Sequence, residues 1–495
     1  MICLTTSEQT LTSALKQVER NKEYIDIVEL RLDLLEEREL ASAQIFPRLC
    51  GLPTIATFRR VSDGGASKLN DKTRISILRS IVLKGDFSYV DIEDDVKKSD
   101  LKVKEDDKDV RNDFEAELRA KGIKIIRSYH DFEKVPAELF SKVTKLAKKG
   151  DIPKIAVTPN TIVDVVTIFR IQQELKDIKE KIIVAMGPYG VCTRILYKKI
   201  GSMLTFASEN EEAPGQLTPK ALKILYRADQ VNAKTNIYGI IGNPVLHTDS
   251  PKIHNPGFDS IHYNAIYVPF LVDKVRTFFK LAELIQIHGF SVTVPHKRDV
   301  LPYLGKITRE VQQIGACNTI TRIQGMWKGI NTDYYGFLVP IEEEIANEHI
   351  KSALVIGAGG AARAVVWALR NHHVKVTIVN RTKEKAIHLS SETMSNWDLL
   401  ENVSNYSGKV DLIVQTTIVG MNESLGVNPV PTLEFNGNEY VYDLIYKPEN
   451  TAFLDKAKAA GCKTYNGKRM LIEQGKLQFE AFTGYHYPHW VNLEL

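Results

Sequence analysis

Along the first 230 positions, short apolar runs alternate with stretches of helical periodicity. The runs are Ile2–Leu4, Ile25–Asp33, Thr54–Arg59, Tyr89–Glu93, Ile123–His130, Lys154–Thr158, Ile182–Met186 and Leu204–Ala207. Eight of them, most followed by a helix-length segment, predict a parallel sheet, and an eight-stranded (β/α)8 TIM barrel is the architecture that fits the count. A last helix over Thr218–Ala228 and a short connection, Val231–Thr235, lead to a second α/β pattern that begins at Asn236. Within it, Ala353–Ile356 reads as a buried strand running into Gly357-x-Gly359-Gly360 and a helix through Ala364, Val365, Val366 and Leu369. Val374–Val379 reads as the next strand.

Parity within the strands says more than their number. Strand side chains alternate, so Val28, Leu30 and Leu32 share one face while Glu29, Arg31 and Asp33 share the other. In a barrel the apolar face meets the helices and the charged face points inward, where ions are costly unless paired or bound to something polar. Other strands add Arg59, Glu93, and His130 with Asp131 at their ends; Lys154 lies in its own run, and Arg194 follows the seventh. Polar side chains gathered at several strand ends are how a barrel builds a site. Lys154 stands at the start of its run and not at the C-terminal end, but its stem is long enough to reach. The charged run Glu93–Lys121 is read as a solvated loop and helix without chemistry.

In the second half, the glycines after Ile356 let the backbone approach a pyrophosphate at a helix N-terminus. Just past Val379 the chain reads Asn380-Arg381-Thr382-Lys383. No carboxylate stands there for a ribose diol, while Arg381 suits a 2′-phosphate, so NADP is expected and not NAD. Candidate nucleotide-binding residues are Gly357, Gly359, Gly360, Ala361, Asn380, Arg381, Thr382 and Lys385. The expected division is a barrel over 1–230 and a two-lobed unit over 236–495. In the latter, 236–340 plus a C-terminal helix near 467–490 form one lobe and 345–466 a Rossmann lobe.

Composition narrows the partners. A chain of 495 residues exceeds one core. Its net charge of +4 comes from 65 basic and 61 acidic residues with no basic tract, which argues against nucleic acid or an anionic membrane. Cys3, Cys50, Cys192, Cys317 and Cys462 are scattered without a C-x-x-C pair, which suits a reducing compartment and offers no metal site. The N-terminal stretch lacks the basic start and apolar run of a signal peptide, and a cytoplasmic location is expected.

Several motifs then fall into an order. Glu29-Leu30-Arg31-Leu32-Asp33, Thr57-Phe58-Arg59 with Gly64-Gly65, Ser128-Tyr129-His130-Asp131-Phe132, Ile152-Pro153-Lys154-Ile155-Ala156 and Ala213-Pro214-Gly215-Gln216 resemble those of type I 3-dehydroquinate dehydratases over most of residues 1–220. The resemblance implies that Lys154 forms a Schiff base with a substrate ketone as a neutral amine, a form that burial and neighbouring cations favour. It implies that His130 removes the acidified proton and later helps hydroxide depart. Glu93 or Glu29 would orient the imidazole, and the sequence does not choose between them. Arg194 would clamp the substrate carboxylate, Arg31 would join the substrate site, and Arg59 and Gln216 would bind hydroxyls or close over the ligand. Glu212 stands where that family commonly has serine, which sets a carboxylate beside an anionic substrate.

The second half carries Thr248-Asp249-Ser250, Ser291-Val292-Thr293-Val294-Pro295-His296-Lys297, Asn318-Thr319, Asn331-Thr332-Asp333, Tyr446-Lys447-Pro448 and Met470-Leu471-x-x-Gln474. This set resembles shikimate dehydrogenases over nearly all of residues 236–484. Thr248 and Ser250 match a pair that holds the shikimate carboxylate, and Ser291 stands where many relatives have asparagine; both changes keep a hydrogen-bonding group. Lys297 and Asp333 are the candidates for supplying a proton to the ketone oxygen. Asn318, Thr293, Tyr446 and Gln474 would hold ring hydroxyls and the ketone. Together the two halves imply consecutive steps, from 3-dehydroquinate to 3-dehydroshikimate and then, with NADPH, to shikimate. The competing readings are one active half beside a scaffold, and a metabolite-sensing regulator. The intact lysine sets in both halves count against the first, and the absence of a helix-turn-helix or basic patch against the second.

Overall fold

The computed structural model describes residues 1–104, 111–147, 151–210, 215–421 and 424–493, without the side chains of 103, 104, 111 and 112. By proximity along the backbone the chain divides into Met1–Ile237 with Asn264–Gln286, and Tyr238–Tyr263 with Ile287–Leu495. Part of the charged run Glu93–Lys121, and Glu212 with Ala213 and Pro214, lie outside the described residues.

In the first unit the barrel strands are β1 (Ile2–Thr5), β2 (Ile27–Arg31), β3 (Thr54–Thr57), β4 (Tyr89–Glu93), β5 (Lys124–Asp131), β6 (Ile152–Val157), β7 (Ile182–Ala185) and β8 (Thr205–Ala207). All fall on the predicted runs. They pair in parallel in the order β8-β1-β2-β3-β4-β5-β6-β7, a nearly closed barrel. At the seam, Met203 N–H donates to Lys181 O at 2.9 Å and Ile183 N–H to Ser202 Oγ at 3.0 Å.

The inward parity of the strands forms two layers. Below, Cys3, Ile27, Ile55, Ile126, Ile152, Ile182, Leu204 and Phe206 make an apolar plug. Two residues further along each strand, the same parity brings Thr5, Glu29, Thr57, Asp91, Ser128 and Lys154 into a polar layer resting on that plug. Strand β6 begins at Ile152, so Lys154 stands one step above the plug, in mid-barrel. Its early place in the apparent run is a matter of where the plug residue lies, and no long reach is needed.

The second unit holds two sheets. Strands β9 (Asn236–Gly242), β10 (Ile287–Val292), β11 (Lys306–Ile307), β12 (Thr319–Ile323) and β13 (Met326–Ile330) are mixed, with β10, β12 and β13 antiparallel neighbours. Strands β14 (Ser352–Ile356), β15 (Lys375–Asn380), β16 (Asn396–Leu399), β17 (Leu412–Gln415), β18 (Tyr440–Asp443) and β19 (Lys463–Tyr465) are parallel in the order β16-β15-β14-β17-β18-β19, the 3-2-1-4-5-6 order of a dinucleotide-binding sheet. Its central strand is covered on both faces. Ala353 and Val355 pack on Val365, Val366 and Leu369, while Leu354 and Ile356 pack on Phe453, Leu454 and Ala457. That is why β14 reads as a continuous apolar run without alternation. The C-terminal helix, Gly467–Thr483, ends at Gly484 (φ +77°), and Phe479 on it stacks on Phe258. Among the described residues no helix is long and apolar enough to cross a membrane.

Candidate active sites

In the barrel's polar layer, Lys154 Nζ donates to Asp91 Oδ2 at 2.8 Å and lies 3.5 Å from Glu29 Oε1. Glu29 in turn accepts from the hydroxyls of Thr5 (2.9 Å) and Thr57 (2.8 Å). Asp91 also accepts from Ser128 Oγ at 2.6 Å and pairs with Arg59 at 2.8 Å. The charges set directly against Lys154 are therefore carboxylates, where the sequence led us to expect cations. Burial alone would raise the Asp91 carboxyl, but Arg59 and Lys154 hold it far below the ordinary range.

His130 sits at the C-terminal end of β5 with its ring stacked on Phe132. Burial first, and then the positive charge of Arg59, push its pKa down to about 4, against the pull of Asp63. The imidazole is thus held neutral at pH 7, as a proton acceptor must be. Its Nδ1 lies 3.4 Å from Asp63 Oδ1. This corrects both expected orienting partners. Glu93 is not at the imidazole: its oxygens are held by Arg74 (2.8 Å and 3.2 Å) and Arg59 (3.1 Å). Glu29 is spent on Lys154 and the two threonines. Arg59, expected to bind hydroxyls or close over a ligand, is instead locked between Asp91, Glu93 and Ser128 as a fixed, buried cation.

Arg31 is braced by a two-pronged pair with Asp33 (2.9 Å and 2.7 Å). Arg194, on the helix Gly187–Ile195 that follows β7, is buried with its Nε unpartnered, and burial lowers its pKa to about 10. Among the described residues no carboxylate pairs with it, and a buried guanidinium in that state can accept one. Gln216 follows Gly215 (φ +79°), where a Cβ would fall 2.3 Å from Gly187 O, so this segment is seated on the turn after β7.

In the second unit, Lys297 Nζ donates to Asp333 Oδ2 at 2.5 Å. Asn318 Nδ2 donates to Asp333 Oδ1 at 2.8 Å and to Thr332 Oγ1 at 2.9 Å, so both carboxylate oxygens are fixed. Thr248, Ser250, Thr293, Lys297, Asn318, Asp333, Tyr446 and Gln474 all line one cavity of about 310 Å³. Burial raises the Tyr446 phenol, against contacts from the Asp249 amide and the Thr248 hydroxyl. Next to it, Lys447 pairs with Asp249 at 2.6 Å, tying the turn after β18 to the loop that carries Thr248 and Ser250.

Ala361 reaches the same cavity from the helix Gly360–Asn371. Gly357 has φ +110°, and a Cβ there would lie 2.5 Å from Thr416 Oγ1, so only glycine fits the turn. Gly359 caps the helix and Gly360 begins it. A Cβ on Gly360 would sit 3.0 Å from Lys297 Cβ. Asn380 ends β15 and donates to Thr382 O at 2.8 Å, and Thr382 precedes the helix Lys383–Thr393. Arg381, just before that helix, and Lys385, in its first turn, are both exposed.

With this geometry in place, the comparisons with known proteins become specific. Residues 2–233 match the family model for type I 3-dehydroquinase, residues 240–320 that for the shikimate dehydrogenase substrate binding domain, and residues 341–422 that for shikimate / quinate 5-dehydrogenase. The bifunctional 3-dehydroquinate dehydratase/shikimate dehydrogenase of Arabidopsis thaliana, described as chloroplastic, is 32% identical over 486 residues, covering 94% of this chain and 78% of that one. The chain belongs to this bifunctional family. Within its second half, shikimate dehydrogenase (NADP(+)) of Caldanaerobacter subterraneus is 37% identical over 264 residues, covering 52% of this chain and 94% of that one. A solved shikimate 5-dehydrogenase from Thermus thermophilus, in complex with NADP(H) and shikimate, is 33% identical over 51% of this chain and 95% of its own, with a TM-score of 0.46.

Three residues of the bifunctional fold escaped the sequence reading. Asp91 shares the inward parity of Glu93 in Tyr89-Val90-Asp91-Ile92-Glu93, so the rule used on β2 would have found it. Asp63 lies in a loop, where no periodicity places a side chain. Gln478, which accepts from Ser291 Oγ at 2.8 Å and lines the cavity, is one helical turn beyond Gln474.

Proposed function

We propose that the barrel dehydrates 3-dehydroquinate to 3-dehydroshikimate and that the second unit reduces 3-dehydroshikimate to shikimate with NADPH. The observation that carries this is a pair of lysines, each embedded in its own buried acid–base group: Lys154 with Asp91 and Glu29, and Lys297 with Asp333. In the barrel, Arg194 receives the substrate carboxylate and Lys154 nitrogen adds to the ketone carbon, water leaving to give an iminium. The iminium draws electrons from the neighbouring C–H, and His130, neutral and aligned by Asp63, takes that proton. The imidazolium returns it to the departing hydroxyl, which leaves as water; hydrolysis then frees the lysine.

In the second unit, Thr248 and Ser250 hold the ligand carboxylate, while Asn318, Thr293, Tyr446 and Gln474 hold ring hydroxyls and the ketone. Lys297, braced by Asp333, gives its proton to the ketone oxygen and steadies the developing alkoxide. The glycine turn and helix start at Gly357–Ala361 fit a pyrophosphate, and Arg381 and Lys385 fit a 2′-phosphate; the nucleotide they would hold supplies hydride when bound. All five cysteines are free and buried, which supports a reducing compartment, and we place the chain in the cytoplasm. The test is direct: dehydroquinate and NADPH are mixed with the protein and absorbance at 340 nm is followed. A fall in the wild type that is lost in Lys154→Ala demands both activities in sequence, because direct reduction of the dehydroquinate ketone would consume NADPH without the barrel. Borohydride with dehydroquinate should fix the substrate covalently on Lys154, and labelling at any other residue sinks the Schiff-base assignment.

A further inference from the structure

Arg60 follows Arg59 at the end of β3 and has no part in the chemistry derived so far. Its guanidinium gathers three carboxylates from three stretches of the barrel: Asp63 Oδ2 at 2.5 Å, Asp71 Oδ2 at 3.2 Å and Asp95. Ser62 Oγ donates to the same Asp63 oxygen at 2.9 Å. One oxygen of Asp63 is thus fully engaged, and the other is the one 3.4 Å from His130 Nδ1. The loop has little freedom to present Asp63 otherwise. Gly64 takes φ +78° against the Phe132 ring, and Gly65 N–H closes on Arg60 O at 2.9 Å, in a space where a Cβ would meet Arg59 O at 2.2 Å.

We infer that Arg60 is a positioning residue for the dehydration, anchoring Asp63 by one carboxylate oxygen so that the other faces the His130 ring, and setting the charge that ring feels. The inference rests on the proposed role of His130. The charged groups facing the imidazole are Asp63 from the loop, Arg59 from β3, Asp91 from β4 and Lys154 from β6. Behind Asp63 stand Arg60, Asp71 and Asp95. Removing Arg60 deletes the cation that Asp63 and Asp95 share, while Asp71 keeps its pair with Arg74 at 2.8 Å, so the ring sits in a more negative field and keeps its proton to higher pH. Burial alone would raise the Asp63 carboxyl, and the contacts from His130, Arg60 and Ser62 hold it well below the carboxylate range. With the Ser62 hydroxyl and the His130 ring still on it, Asp63 stays a carboxylate near neutral pH in the variant and transmits the change.

The experiment compares the full chain with Arg60→Met and Arg60→Lys, following dehydratase kcat/KM against pH and, in parallel, the His130 ring by NMR in histidine-labelled protein, assigned with His130→Gln. Arg60→Met should move the acidic limb and the His130 titration upward by about one pH unit, the size of a single nearby charge, and lower kcat. Arg60→Lys should bring both back toward wild type, though its point charge replaces a fork. Shikimate oxidation by the second unit, unchanged in both variants, reports that the chain is folded. A wild-type limb and titration in Arg60→Met overturn the inference even if kcat falls, because a purely structural loss would not move them. If wild type does not dehydrate at all, the proposed function fails, while the His130 titration still decides the role of Arg60. If Arg60→Met does not fold, Arg60→Lys decides: a limb displaced by more than half a unit despite the retained charge counts against the anchor, and a wild-type limb with a near-wild-type kcat supports it.

Discussion

At the scale of single residues, the two lysines differ in what surrounds them, and that difference predicts separable losses. Lys154 is enclosed by Asp91 and Glu29 above an apolar plug, whereas Lys297 faces one carboxylate held by Asn318. Lys154→Ala should abolish dehydration, since no other amine in that layer can form the imine, and leave shikimate oxidation within about twofold. Lys297→Ala should lower the reduction roughly 10²- to 10⁴-fold, the usual worth of a positioned proton donor, and spare the dehydratase. Separate assays of each step check this, and a single substitution that silenced both reactions in a folded chain would contradict two independent sites. At this scale strand parity gave the inward direction of Glu29, though not its partners. It failed at Asp63, whose approach to the imidazole depends on Gly64, Gly65 and Arg60 shaping a loop. It also misassigned Glu93, because Arg74 reaches that carboxylate from a helix, and no strand periodicity encodes a helix-to-strand ion pair.

At the scale of elements, strands and motif-bearing turns were legible and the contacts between turns were not. The parallel order of the Rossmann sheet follows from apolar runs covered on both faces, and the eight barrel strands from their spacing. The end of β15 carries a further expectation. Arg381, just before the following helix, and Lys385, in its first turn, should together discriminate NADP from NAD. Replacing both with alanine should raise KM for NADP by tenfold or more while changing that for NAD less than threefold, as initial-rate kinetics would show; equal effects on both would remove the 2′-phosphate from the account. The pair Lys447–Asp249 makes a different demand. It joins the turn bearing Tyr446 to the loop bearing Thr248 and Ser250, so Lys447→Met should raise KM for shikimate several-fold without altering KM for NADP. An unchanged KM for shikimate would mean that the loop is held by its other contacts.

At the scale of the molecule, both units bury a histidine in its neutral form, and this links stability to acid. His254 is fully buried, and burial pushes its pKa down to about 3 from an ordinary 6.5, against a contact from Gln478. In the unfolded chain it would bind a proton near pH 6.5, so the unfolded state holds more protons over the interval below. Its contribution is fully present above about pH 6.5 and declines as the pH falls toward 3, by up to about 1.4 kcal/mol per pH unit. His130 adds a second slope of the same sign, over 6.5 to about 4. Urea midpoints should therefore drop between pH 6.5 and 5, before most carboxylates titrate. His254→Gln should flatten that drop for the second unit, and a midpoint independent of pH in this window would show that the imidazole is not kept neutral by burial.

The near-contact of Gly360 with the stem of Lys297 gives the nucleotide motif a second duty. The hydrogen at that position is the clearance that lets the proton donor lie along the first turn of the helix meant for the pyrophosphate. A methyl group there would press on the donor before it disturbed any phosphate. Damage to a glycine filed under cofactor recognition would then first surface as faulty delivery of the proton, with nucleotide affinity nearly intact.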